Sequence, residues 1–154
     1  MLGSILSILT AAGAFGADRL TKHIADNKLP EWKDKKEDPT AFIQFGRARN
    51  SGFAGSRLEG HRKLVVTVSL IIFAVCIVMY AMVLSKPASF TMKAGMGLMM
   101  GGAAGNVFDR IVNGRVTDFI VMKPFKRIIF NLADVFILIG AVVAALCEML
   151  QGVE

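Results

Sequence analysis

Two aspartates, Asp118 and Asp134, with the amides and arginines around them, are the residues of this chain best suited to chemistry. Polar side chains come in close succession there: Asn106, Asp109, Arg110, Asn113, Arg115 and Asp118, then Asn131 and Asp134. Asp134 is followed by Val-Phe-Ile-Leu-Ile-Gly, so one helical turn carries it into apolar surroundings. If that run crosses a membrane, an ionisable group at such depth is costly unless paired, which makes it a candidate functional residue. Two carboxylates across a water-sized gap repel each other, so one pKa rises and the pair shares a proton. One carboxylate can then take a proton from water while the other gives one to a carbonyl, with no covalent intermediate and no metal. The same residues admit a structural reading, in which Asp118 pairs with Arg115 or Arg110 and Asp134 caps the following helix. Their separation along the chain does not decide between the two.

The elements that must position them are apolar. Hydrophobic residues make up 54% of the chain, charged residues 19%, and the mean hydropathy is +0.54, a poor fit to a small soluble globule. The apolar residues fall in runs at about 2–17, 64–84, 89–108 and 130–150. Each is close to the roughly 20 helical residues that cross a bilayer's hydrocarbon. The expectation is an all-α membrane protein: one integral domain with spanning helices at about 2–20, 64–84, 89–108 and 130–150. Segments 21–63 and 109–129 lie outside the membrane. The first run is short, and Gly13, Ala14, Gly16 and Ala17 resemble a signal-peptide cleavage region, but no Lys or Arg precedes it. An uncleaved first helix is expected.

In the third run Gly97, Gly101 and Gly105 stand four apart, which lets a neighbouring backbone approach closely. Asp18 and Lys22, also four apart, can pair on one helix face and are assigned a structural role. Residues 41–45 (Ala-Phe-Ile-Gln-Phe), bounded by Pro39 and Gly46, read as a strand of a small extramembrane sheet. The stretch before them reads as loop or a short surface helix, with Trp32 at the membrane interface. Cys76 and Cys147 lie deep in apolar runs and read as packing residues. His23 and His61 read as solvated, and no Cys or His cluster has metal-ligand spacing. No cofactor is expected.

The net charge is +6, and eleven of the eighteen Lys and Arg fall between Arg19 and Lys63. Five more lie between Arg110 and Arg127, whereas only Lys86 and Lys93 are assigned to the connection between the second and third helices. Acids interleave with the basic residues without an aromatic stacking pattern, so lipid headgroups rather than nucleic acid are the expected partner. Counted by the positive-inside rule, the two long polar segments are cytoplasmic and both termini outside.

Residues 102–120, Gly-Ala-Ala-Gly-Asn-Val-Phe-Asp-Arg-Ile-Val-Asn-Gly-Arg-Val-Thr-Asp-Phe-Ile, followed by Phe130-Asn-Leu-Ala-Asp134, resemble the bacterial lipoprotein signal peptidases. Asp18-Arg-Leu-Thr-Lys22 resembles that family's Asp-x-x-Thr-Lys segment, and Asn50-Ser-Gly52 its Asn-x-Gly segment, in the same order along the chain. The resemblance implies an aspartyl intramembrane endopeptidase with four helices and a small β-cradle. It would act in the bacterial inner membrane on a prolipoprotein, cutting just before the cysteine that bears diacylglycerol. It implies Asp118 and Asp134 as the catalytic dyad, a choice that residue types alone leave open. Asn106, Asp109, Arg110 and Asn131 are then the polar residues around the dyad. Asn50 is a contact to substrate or to the peptide antibiotic that mimics it. Arg110 is expected to pair with Asp109 or a lipid phosphate, and the chain to work as a monomer.

Two features depart from the resemblance. Phe53 follows Gly52 directly, and Gly55 stands where an aromatic is expected. The family's topology, with both termini cytoplasmic and the site open to the outer face, is opposite to the charge count; the family topology is the expectation adopted. Two alternatives stand beside this reading: an altered relative that binds or processes another membrane peptide, and a small proton-coupled transporter using Asp134.

Overall fold

Helix α3 is the post on which the other elements are hung. The computed structural model describes residues 2–34, 38, 40–52, 60–122 and 128–151. In chain order these form α1 (Leu2–Lys28), a 3-10 turn (Trp32–Asp34), β1 (Ile43–Asn50), α2 (Arg62–Ser85) and α3 (Phe90–Val112). Then come β2 (Val116–Met122), β3 (Ile129–Phe130) and α4 (Leu132–Gln151). α3 packs against α1, α2 and α4, and most closely against α1 and α4.

Missing side chains cause that closeness. A Cβ at Gly97 would come within 2.5 Å of the Ser7 carbonyl oxygen, and Gly101 and Gly105 meet Ala11 and Asp18 of α1 as tightly. A second face of α3 meets α4: a Cβ at Gly102 would lie 2.5 Å from the Ala133 carbonyl oxygen, while Gly95 and Gly140 face each other across the contact. Close backbones recover dispersion contacts that the hydrophobic effect cannot supply between helices in lipid.

α2 buries only Val65 and Ser69, and Ile71, Val75, Val78 and Met82 are exposed. Leu138, Val142, Leu146 and Leu150 of α4 are exposed in the same way. Arg62–Ser85 and Leu132–Leu150 are long and apolar enough to cross a membrane. α1 continues eight residues past the expected end of its span, and α3 four past its own. Lys93, expected in the connection, stands in the first turn of α3 and is buried. Its ammonium donates to Ser4 Oγ (3.1 Å) and to the Leu84 carbonyl (3.3 Å), which satisfies groups at the end of α2.

The three strands form one antiparallel sheet in the order β1-β2-β3. The strand expected at 41–45 begins at Ile43 and runs to Asn50. A bulge between Phe45 and Ala48 shifts its register with β2, and pairing resumes from Ala48↔Asp118 to Asn50↔Val116. α3 gives way to β2 at Gly114, whose φ of +69° suits glycine and turns the chain back over the helix ends.

Candidate active site

Three asparagines are oriented by groups that can only donate, and each therefore turns its NH2 towards a carboxylate. Asn131 precedes α4, and its Oδ1 accepts from the Asp134 backbone N–H (3.0 Å). The Asp134 Oδ2 in return accepts from the Asn131 backbone N–H (3.2 Å), a reciprocal cap of the kind usually built with Glu. With its oxygen so engaged, Asn131 presents Nδ2 to Asp118 Oδ1 (2.6 Å). Asn106 Oδ1 accepts from the Lys22 ammonium (2.9 Å) and from Asn131 Nδ2 (3.1 Å), so its own Nδ2 faces Asp134 Oδ1 (2.8 Å). Asn50 Oδ1 accepts from the Gly52 N–H (3.0 Å), leaving Nδ2 to reach Asp118 Oδ2 (3.2 Å). An ammonium or a backbone N–H has no acceptor, so these amide orientations follow from chemistry.

Asp118 and Asp134 thus come from different elements, β2 and the first turn of α4, and meet at one residue, Asn131, which donates to Asp118 from its side chain and to Asp134 from its backbone. Both line a cavity of about 180 Å³ together with Asn50, Asn106, Arg110 and Asn131. Asp118 is 4% exposed. Burial, and then the charge of Asp134, push its carboxyl up to about 6, against the hydrogen bonds from Asn131 and Asn50. Both oxygens of Asp134 accept hydrogen bonds at the positive end of α4, an arrangement that suits a carboxylate. The cap expected under the structural reading is therefore present, but it uses one oxygen of Asp134 and leaves the other on the cavity side with Asn106.

The second cluster lies against α1. Lys22, 1% exposed, is 2.8 Å from Asp18 Oδ2 and 3.0 Å from Asp109 Oδ2. Asp18 Oδ1 accepts from the Ala133 N–H (3.0 Å), adding a second carboxylate to the start of α4. Of the two partners expected for Arg110, Asp109 or a lipid phosphate, Asp109 forms its ion pairs among the described residues with Arg19 and Lys22 instead. Successive helix residues point about 100° apart, so Asp109 faces α1 and pairs with Arg19 and Lys22 while Arg110 faces the cavity. There the Arg110 guanidinium points at the carbonyls of Gly52 (3.4 Å) and Asn106 (3.5 Å).

Arg19 was missed in the sequence reading. It donates to Asp109 and lies 4.6 Å over the Phe108 ring. The rule that flagged Asp134, an ionisable group bordering an apolar run, applies equally to Arg19. Phe53 and Gly55, where the sequence departs from its resemblance, lie outside the described residues. Among the described residues no group of three His, Cys, Asp or Glu could hold a metal.

A family model described as signal peptidase (SPase) II matches residues 10–150. A lipoprotein signal peptidase of Mesorhizobium japonicum is 33% identical over 92% of this chain and 84% of its own. One from Caldicellulosiruptor bescii is 40% identical over 73% of this chain and 71% of its own. A solved bacterial membrane enzyme superposes with a TM-score of 0.79 at 28% identity, covering 96% of this chain and 89% of its own.

Proposed function

The chain belongs to the signal peptidase II family, aspartic-type proteases that act on lipoprotein precursors, and from that premise we propose its substrate, cleavage point and machinery. The substrate is a prolipoprotein, cut just before the cysteine carrying diacylglycerol. Asp118 and Asp134 act as the dyad. The observation that carries this reading is one residue, Asn131, which donates from its side-chain amide to the Asp118 carboxylate and from its backbone N–H to the Asp134 carboxylate, both on a common cavity.

The roles of the two carboxylates differ because their surroundings differ. Asp134 is the base: it takes a proton from the attacking water, its carboxylate form supported by Asn106 and by the N-terminus of α4. Asp118 is the acid: buried and raised to about 6, it gives its proton to the scissile carbonyl oxygen as the C–O bond to water forms. When the resulting gem-diol collapses and the C–N bond breaks, Asp134 returns its proton to the leaving nitrogen and Asp118 recovers one from the diol. Arg110 and Asn50, at the cavity rim, bind the substrate backbone. Asp109, Asp18 and Lys22 hold α1, α3 and the start of α4 in register.

All four helices span the membrane, α2 and α4 being the most apolar, with the polar site at one end of α3 and α4. The sheet lies outside, the dyad opens to the outer face of the bacterial inner membrane, and the monomer is the working unit.

Incubating the purified protein with a diacylglyceryl-modified precursor and with its unlipidated form tests the substrate. Mass analysis should show a signal peptide ending at the residue before the lipidated cysteine, with the unlipidated form left whole. Equal cleavage of both, or cleavage elsewhere, would overturn the assignment.

A further inference from the structure

A second concave site lies at the outer end of the sheet. The chain leaving α1 runs beside β1: the Arg47 N–H donates to the Pro30 carbonyl (2.8 Å), and Glu31 bridges to Arg47. Between them is a cavity of about 390 Å³ lined by Glu31, Trp32, Lys33, Arg47, Ala48, Arg49 and Arg115. Four cations thus face one carboxylate. Glu31 is shared by Lys33 (3.0 Å) and Arg47 (3.4 Å), and Arg47 also donates to the Asp26 carbonyl (2.7 Å). Arg49 and Arg115 are exposed and make no hydrogen bond or ion pair among the described residues. Two planar guanidinium forks on one concave surface, in excess over acid, match the oxygens of a phosphate.

We infer that this pocket binds the phosphate of an anionic phospholipid headgroup, gripped by Arg49 and Arg115 with Trp32 beside it. The surroundings favour lipid over an acidic peptide. The chain belongs to a family of membrane enzymes. Trp is favoured at headgroup depth, and the strand that supplies Arg47 and Arg49 carries exposed apolar residues at Ile43 (48%) and Phe45 (50%), with Phe42 (60%) just before it. Apolar anchors beside a cationic pocket are how a surface element settles on an anionic membrane. The site would pin the sheet, and with it Asn50 next to Arg49, at a fixed height over the bilayer. It rests on membrane placement and not on the protease reading, since neither Arg49 nor Arg115 lines the dyad cavity.

Trp32 is the only tryptophan in the chain, so intrinsic fluorescence reports on this pocket directly. The full chain is placed in phosphatidylcholine nanodiscs with rising fractions of phosphatidylglycerol. Trp32 emission should shift saturably, and the half-saturating fraction should rise with salt. In the double variant Arg49→Gln/Arg115→Gln, unchanged in emission in pure phosphatidylcholine and in helix content, the apparent affinity should fall roughly twentyfold or more, each cation near a headgroup being worth about fivefold. A double variant that responds like the parent, or a parent that does not distinguish the two lipids, overturns the proposal. Inorganic phosphate added to pure phosphatidylcholine discs should leave the emission unchanged; if it reproduces the shift, the site takes free phosphate and the headgroup assignment is wrong.

Discussion

At the scale of single residues the site is a set of amides whose directions are imposed from behind. Lys22 can only donate, so it fixes the oxygen of Asn106, and the Asn106 NH2 is thereby committed to Asp134. Lys22→Met would also leave Asp18 a buried carboxylate without its cation and Asp109 with Arg19 alone, so a loss of about 3–5 kcal/mol in unfolding stability is expected. Thermal or denaturant unfolding in detergent measures it; a loss below about 1 kcal/mol, the scale of a surface pair, would show that the cluster is not held as described. Asn50 gives a finer test. Its hydrogen bond favours the ionised form of Asp118, so Asn50→Ala should move the alkaline limb of kcat/KM, near 6 in the parent, to higher pH. A limb that stays put or moves down contradicts the contact.

The raised carboxyl has a cost in stability, and its sign can be followed. Burial pushes the Asp118 carboxyl up to about 6 from the ordinary 3.8 of an aspartate, so the folded state holds the proton more tightly. Stability from this group therefore falls as pH rises from about 3.8 to about 6, and the deficit above that is about 3 kcal/mol. Asp118→Asn should stabilise the protein at pH 8 relative to pH 4, as read from unfolding midpoints at both; a gain independent of pH would mean that the carboxyl is not raised.

At the scale of elements the close contacts of α3 decide whether those residues meet. The spacing of Gly97, Gly101 and Gly105 was legible as a packing face, and that of Asp18 and Lys22 as a pair, because both follow from helix geometry alone. The partners across space were not: nothing local says that Asp18 reaches the Ala133 N–H or that Lys22 reaches Asn106. The second glycine face, Gly95 and Gly102 against α4, was hidden for the same reason. β1 was seen only in its aromatic half, since the bulge before Ala48 shifts the alternation on which strand reading depends. Gly105→Ala puts a methyl into the Asp18 carboxylate, so it should cost about 1–3 kcal/mol and lower kcat by loosening the start of α4. Gly13→Ala, in α1 and facing open space, is the control: kcat should stay unchanged and stability should not fall, rising by about 0.5–1 kcal/mol at most.

At the scale of the whole molecule, composition pointed to a membrane protein and a family resemblance to which carboxylates to examine, while the charge count and that resemblance imply opposite orientations. Part of the basic surface in that count is the Arg47, Arg49 and Arg115 cluster, for which the inferred headgroup pocket would be a local use. With the termini cytoplasmic, a C-terminal tag should be digested by protease in inverted membrane vesicles and protected in intact spheroplasts; the reverse pattern would restore the charge-based orientation.

The central claim is that Asp118 and Asp134 work as one acid–base pair. Its most direct measurement is the rate of cleavage of a diacylglyceryl-modified precursor by Asp118→Asn and by Asp134→Asn, each shown to be folded and to bind precursor. Each substitution removes an ionisable partner while keeping its shape, so each alone should lower kcat by about 10²–10⁴-fold. Near-normal turnover in either single variant would contradict the pair.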